Sequence, residues 1–511
     1  MEGKYIIGID AGTSKIKSVL FDDKGNELYV ASEDVKLIYP APGLVEQDMN
    51  EAWESTFRTV KELLANVNVN KADIAAIAIT GQADGTWLIG EDGEPVCNSY
   101  NWTDSRALSK CIEWIMSGKD MEVYNDCGST FYPGSLSVLM AWMKENEPEV
   151  LNKAKYIGGC KDWMKFKFTG VFSGDTSYMF GNPAERCRNK ETIDHIGCGE
   201  YYDKIITDRP LQDAWDPIKP ELAAELGLNE GIPVFGGPFD FVACAIGSGT
   251  LNYGDACAVV GTTTNVSFAL NEFNPEPLNV GYTICGYADN QWVRAFGVMA
   301  GTPNIEWTIG HIGLKYMMAA QQKGTDVYAE IEEAIKDIPV GAGGVIYHPY
   351  ALPGGERSPF VKPTAKANFF GLGVEHTTDH LMRAVYESIG YSLLDCAINI
   401  EDKPDSITIM GGGAKSPLLC QIIADITGMD VVLTQGSEFG AKGTAMAAAT
   451  SIGMFDTIED AKAAWVHEAK RFKPNMENNA EYAKYFKLYK AICASMFDLW
   501  DMRAGILQGM I

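Results

Sequence analysis

No two cysteines lie close together in this chain. Its 12 cysteines never come nearer than Cys187 and Cys198, so no Cys-x-x-Cys metal or redox pair exists. Scattered thiols in a long acidic chain read most simply as reduced, which excludes a disulfide scaffold. Basic residues are also in short supply: 42 Lys and Arg stand against 68 Asp and Glu, for a formal net charge of −26. Such a field repels nucleic acid and anionic membranes and keeps a large protein soluble, so neither is expected as a partner. No apolar run approaches the roughly 20 residues that span a bilayer. Met1-Glu2-Gly3-Lys4 runs into a strand pattern without a charged-then-apolar leader. The expectation is a cytoplasmic enzyme. No low-complexity linker interrupts the 511 residues, a length that predicts two or more domains.

Against these absences stand two similar turns, Gly8-Ile9-Asp10-Ala11-Gly12-Thr13-Ser14-Lys15 and Gly254-Asp255-Ala256-Cys257-Ala258-Val259-Val260-Gly261-Thr262-Thr263-Thr264. Each follows a short apolar run and precedes an alternating one, the pattern of a hairpin with small residues at its bend. Backbone N–H groups there, with the Thr13 and Ser14 hydroxyls, suit phosphate oxygens. Asp10, at the end of the first strand, offers the carboxylate that Mg²⁺ on nucleotide phosphates needs, directly or through water. The pattern suggests two like halves closing on one nucleotide, with the break in Ser248-Gly249-Thr250-Leu251-Asn252-Tyr253-Gly254.

In the first half the hairpin continues into a third antiparallel strand over 27–32. Trp53, Phe57, Val60 and Leu64 then recur at helical spacing from about Met49, with Asp48 or Asn50 as N-cap. A buried strand over 74–80 runs into Gly81-Gln82-Ala83-Asp84-Gly85-Thr86-Trp87, a polar stretch at a strand end, where ligands bind in open α/β sheets and where an ordinary loop would look similar. The second half predicts a strand running into Gly411-Gly412-Gly413, which lets backbone approach a flat or anionic group. A helix over 417–427, a strand over 430–433 and a helix over 440–452 follow. Gly436 to Thr444 has P-loop composition but lacks glycine before Lys442 and Ser or Thr after it, so it is no Walker A sequence. His376 and His380 flank Thr377 and Thr378, which read as a helix N-cap rather than part of a metal site, and no histidine is assigned a catalytic role.

Gly236-Gly237-Pro238-Phe239-Asp240 places an acid among apolar residues before a small-residue helix. It reads as a helix N-cap, as a base facing a substrate hydroxyl, or as both.

These segments, with Tyr350-Ala351-Leu352-Pro353-Gly354-Gly355-Glu356-Arg357-Ser358-Pro359 and Gly411 to Ser416, occur in order and together resemble the FGGY family of carbohydrate kinases. The resemblance implies an α/β fold of two ribonuclease-H-like domains of the actin and hexokinase superfamily with an interdomain cleft. The N-terminal domain (1–249) would bind sugar and the C-terminal one (250–511) ATP. It implies Mg²⁺ at Asp10 and the transferred phosphate at Thr13 and Lys17, with Gly12 and Ser14 as cofactor-binding residues of the same turn. ATP phosphates would lie at Gly261 and Thr262, and adenosine at Gly412, Gly413 and Ala414, with Gly301 and Asn304 nearby. Asp240 would be the base. Many members carry Arg where this chain has Lys17, which keeps the charge without the bidentate fork.

Gln82, Asp84, Trp87 and Asp240 are the expected sugar contacts, although a tryptophan at a strand end serves packing equally well. The stretch 81–88, with Trp102-Thr103-Asp104-Ser105-Arg106, looks more like erythritol kinases than glycerol kinases, which typically carry Arg-Glu at the places of Ala83 and Asp84. Xylulose and other pentulose kinases are close competitors. The partner is therefore a small sugar or polyol, and homodimers are common among similar kinases. A nucleotide-driven switch of the actin class is the alternative; the Gly-Gly-Pro-Phe-Asp240 element and the lack of an appended binding domain count against it.

Overall fold

The computed structural model describes residues 3–82, 84–177, 181–277, 279–352 and 354–507, so Ala83 and Pro353 lie outside the described residues. The chain divides into two compact units. Unit one comprises Met1–Tyr253, Ala269–Arg294 and Glu438–His467; unit two comprises Gly254–Phe268, Ala295–Ser437 and Glu468–Ile511.

The main sheet of unit one is built from β1 (Tyr5–Ala11), β2 (Lys15–Phe21), β3 (Glu27–Asp34), β4 (Ile74–Gly81), β5 (Trp215–Pro217) and β6 (Pro233–Gly236), in the order β5-β6-β4-β1-β2-β3. The predicted hairpin is present: β1 and β2 are antiparallel with Asp10 opposite Lys17, and β4 runs parallel to β1 with Thr80 beside Asp10. Ile6, Ile7 and Ile9 are fully buried, as expected of a strand covered on both faces.

One face packs on helix α1 (Met49–Asn66), whose Trp53, Phe57, Val60 and Leu64 meet Ile7, Ile9 and Leu20 in a common core. Asp48 is its N-cap, accepting from the N–H groups of Asn50 and Glu51. The other face carries helix α2 (Asp240–Ser248) and helix α3 (Phe439–Ser451). Small residues make this packing close. A Cβ at Gly8 would collide with the Ala441 carbonyl, one at Gly443 with the Ala243 carbonyl, and one at Gly247 with the Phe439 carbonyl. For this reason α3 belongs to unit one, although a single break near 250 would assign it to the second half.

Unit two repeats the scheme. β7 (Ala256–Val260) is antiparallel to β8 (Thr264–Leu270) and parallel to β9 (Ser406–Met410). β10 (Asp430–Thr434) runs parallel to β9, and β11 (Glu468–Phe472) antiparallel to β10. A helix over Pro417–Thr427 follows β9, its N-cap Ser416 Oγ accepting from Leu419 N. The helix Thr378–Ala397 begins with Thr377, whose N–H donates to His380 Nδ1, so this histidine caps a helix. Among the described residues no helix is long and apolar enough to cross a membrane.

Gly443→Ala is expected to destabilise the protein by about 1–3 kcal/mol, because backbone must shift to admit one methyl. Gly310→Ala, on an exposed helical turn where a Cβ meets nothing within 4 Å, is expected to stabilise by about 0.5–1 kcal/mol. Calorimetric melting of both variants checks the contrast.

Candidate active site

The bend between β1 and β2 is shaped by Gly12, whose N–H donates to the Lys15 carbonyl at 3.1 Å. Thr13 Oγ1 accepts from Trp102 Nε1 at 2.6 Å and donates to Gln82 Oε1 at 3.3 Å. Gln82 Oε1 also accepts from Asn101 Nδ2 at 3.0 Å, and its Nε2 donates to Gln47 Oε1 at 2.8 Å. The hairpin bend, the end of β4 and the strand Ser99–Asn101 are thereby drawn together. Trp102 meets Tyr132 edge to face with centroids 6.3 Å apart, and Tyr132 donates its hydroxyl to Asp84 Oδ2 at 2.6 Å. Asp84 Oδ1 accepts from Leu136 N at 3.1 Å. A chain of contacts, hydrogen-bonded at both ends and aromatic in the middle, thus runs from Thr13 through Trp102 and Tyr132 to Asp84. Ser14 is exposed at the same bend.

Lys17, opposite Asp10 in the ladder, places its Nζ 2.6 Å from Glu438 Oε2. Burial pushes the Asp10 carboxyl up to about 6, with the Lys17 charge opposing and Glu438 adding to the rise. Asp240 is the first residue of α2 rather than its N-cap, a position held by Phe239, which corrects the capping expectation. Its Oδ1 accepts from the adjacent Phe241 N–H at 2.8 Å. Burial raises Asp240 to about 8, the Asp10 charge adds to the rise, the Phe241 N–H opposes it, and Asp84 contributes further. Asp10, Asp84 and Asp240 therefore share one field, which favours a proton, a hydroxyl donor or a cation at this place.

Trp87 is not part of this group. It lies in the strand Gly85–Ile89, 1% exposed, in the core with Ile79 and Trp163, so its indole packs and does not support the sugar-contact expectation. The tryptophan beside Thr13 is Trp102, from a stretch the sequence singles out without assigning it a contact. Glu438 and Tyr132 carry no sequence signal of their own, since each reaches the group from a distant segment.

In unit two, Gly261 O accepts from Thr302 N at 2.8 Å and from Thr302 Oγ1 at 3.1 Å, while Gly261 N donates to Thr263 O. Gly301 lies directly under this bend, where a Cβ would strike the Gly261 and Thr262 carbonyls. Asn304 is fully buried, donating to Gly301 O at 3.2 Å and accepting from Tyr347 OH at 2.9 Å. Its side chain is thus engaged in supporting the bend from behind. Gly412 is exposed, and Gly413 is buried where a Cβ would press on Val260. Ala414 N donates to Gly411 O. The Thr262 and Gly412 turns follow β7 and β9, neighbouring parallel strands inside the sheet, so their backbones lie at the same end of it, past the carboxyl ends of the strands.

The Asp240 carboxyl has a sign-definite effect on stability. Its folded value near 8 exceeds the unfolded 3.8, so between those pH values the folded state holds a proton that the unfolded state has released. Stability falls as pH rises through that window. Asp240→Asn removes the penalty, and its melting temperature is expected to exceed that of the parent protein by a margin that is small near pH 4 and grows toward pH 8.

Comparison with known proteins places the chain in a family. The N-terminal domain model of the FGGY family of carbohydrate kinases matches residues 5–247, and the C-terminal domain model matches residues 256–452. The erythritol kinase of Brucella abortus is 29% identical over 516 residues, covering 99% of this chain and 98% of that protein. A xylulose kinase of Staphylococcus epidermidis is 30% identical over 513 residues, covering 96% of this chain and 97% of that protein. The ligand-bound xylulose kinase of Lactobacillus acidophilus shares the fold, with a TM-score of 0.89 at 24% identity, covering 96% of this chain and 98% of that one. With two like α/β units and both domain models matched in order, the chain belongs to the FGGY family of carbohydrate kinases, phosphotransferases that use ATP to phosphorylate a hydroxyl of a small sugar or polyol.

Proposed function

We propose that this chain is a cytoplasmic, Mg²⁺-dependent kinase of an erythritol-type polyol, with Asp240 as general base. The observation that carries the reading is the group of three carboxylates, Asp10, Asp84 and Asp240, set beside the Thr13–Trp102–Tyr132 chain in unit one. Asp240 accepts the proton of the attacking hydroxyl, and a carboxyl raised by burial is well suited to that task. Asp84 and Gln82 orient the polyol hydroxyls. Gly12, Thr13, Ser14 and Lys17 take the transferred phosphate, Gly261 and Thr262 the remaining phosphates, and Gly412 to Ala414 the adenosine.

The Asp10 carboxylate, a hard oxygen donor whose own burial raises it to about 6, fits Mg²⁺. The cation would neutralise phosphate charge at this place. Erythritol is favoured by the 81–88 and 102–106 stretches and by the relative of that activity matched over nearly the whole chain. A pentulose such as xylulose is the second reading, supported by the xylulose kinase of similar identity.

ADP release from Mg-ATP across erythritol, other tetritols, pentitols, D- and L-xylulose, ribulose, glycerol and gluconate tests the assignment. Erythritol is expected to give the highest kcat/KM, and preference for a ketose transfers the assignment to the second reading. With the preferred substrate, kcat/KM is expected to rise with pH through a midpoint at about 8 and to level off above it, since only ionised Asp240 accepts a proton. A flat profile from pH 6 to 9 sinks the base assignment.

Trp102→Phe, which removes the N–H donated to Thr13, is expected to lower kcat/KM about tenfold with little change in melting temperature. Trp87→Phe is expected to lower melting temperature and leave kcat/KM close to that of the parent.

A further inference from the structure

The loop that carries Asp240 is held from two sides. From β4, Thr80 Oγ1 donates to the Pro238 carbonyl at 2.6 Å, and the Ile79 carbonyl accepts from Gly237 N at 2.7 Å. From the opposite side, Ser177 Oγ accepts from Phe239 N at 2.8 Å. Phe239 is the N-cap residue of α2, and its side chain makes no capping bond, so the hold on the helix entry is supplied from outside the helix. Asp240 is the next residue.

Ser177 is itself fixed by a chain of buried charges. Its N–H donates to Asp175 Oδ1 at 2.8 Å, and Asp175 Oδ2 pairs with Lys161 Nζ. Lys161 Nζ also lies 3.1 Å from Asp162 Oδ1, and Asp162 Oδ2 accepts from Gly159 N at 2.9 Å, anchoring the cluster to the start of the helix Cys160–Thr169. The side chains of Lys161, Asp162 and Asp175 are at most 1% exposed. Taking an ammonium and two carboxylates out of water carries a large desolvation cost, and such a cluster is a poor source of stability compared with apolar packing. What it does supply is a fixed direction for each donor and acceptor.

Lys165, on the same helix, makes a useful contrast. It ties Ser173 Oγ at 2.6 Å and Asp216 Oδ2 at 2.7 Å, joining the helix to β5 rather than to the Phe239–Asp240 entry.

We propose that Ser177, held by Asp175 and Lys161, is the positioning residue for the Asp240 base: it anchors the Phe239 N–H and thereby aims the carboxylate on the next residue at the substrate hydroxyl. The proposal rests on the reading of Asp240 as the base. A base displaced by a fraction of an ångström transfers its proton poorly while leaving substrate binding almost intact.

The test is steady-state ADP release with erythritol or D-xylulose, whichever the parent enzyme uses, together with amide hydrogen exchange over residues 237–243. Ser177→Ala is expected to lower kcat about 10- to 100-fold with KM for both substrates within about twofold, and to speed exchange in that segment. Ser177→Thr, which restores a hydroxyl, is expected to recover most of kcat. Ser173→Ala, which removes a similarly buried hydroxyl from the Lys165 latch, is expected to lower melting temperature and keep kcat.

The proposal is overturned if Ser177→Ala keeps the parent kcat, if Ser173→Ala slows turnover as much, or if the Thr variant is no faster than the Ala variant. Asp240→Asn in the same assay separates the two levels. Retained turnover there defeats the base reading itself. An inactive Asp240→Asn beside a fully active Ser177→Ala defeats the positioning role alone.

Discussion

Unit one depends on how closely backbone approaches backbone where α3 lies on β1, β4 and α2. Gly8, Gly247 and Gly443 each leave out a Cβ that would collide with a carbonyl, and Gly237 does the same beside Ile79 and Thr444. This contact is made by dispersion between well-fitted surfaces and leaves little room to slide. It also sets the chemistry. Glu438, just before α3, reaches Lys17, and Gly440, in its first turn, leaves room for the Asp10 carboxylate. A segment more than 400 residues distant in the chain thus becomes part of the environment of the first hairpin.

On this scaffold the protein accumulates negative charge in a place that burial makes expensive. Asp10 and Asp240 are both raised, each partly by other carboxylates. A fold selected for stability alone would replace one of them, since like charges in a low-dielectric site oppose each other. Their retention is intelligible if a cation and a hydroxyl proton are the intended occupants, and stability at neutral pH is reduced to keep the site ready. The chain of contacts from Thr13 to Asp84 adds direction. Every donor in it has an acceptor, so the side chains facing the site are held in one arrangement before any ligand arrives.

The two units use one plan for different ends. In each, a hairpin with small residues at its bend pairs in parallel with a later strand. In unit one the bend is braced by side chains, Gln82 and Trp102. In unit two it is braced by backbone and by residues beneath it, Thr302, Gly301 and Asn304. The bend of unit two is thus supported from behind, with Gly261 N donating to Thr263 O within it.

Much of this was legible from local pattern. The hairpins, α1 with its Asp48 cap, the glycine turn after β9 and the helix over Pro417–Thr427 all follow from periodicity and turn chemistry, which act over a few residues. The order of the motifs along the chain sufficed to identify the family. Sequence by itself did not separate Trp87 from Trp102: both read as lying beyond strand ends, whereas Trp87 stands in the middle of the strand Gly85–Ile89 and packs in the core, and Trp102, just after Asn101, donates to Thr13. Nor did it show that Asn304 supports a bend, that α3 crosses to unit one, or that Ser177 and Lys161 stand behind Asp240. Those are relations between segments far apart in the chain, decided by which surfaces fit together, and local propensity carries no record of them.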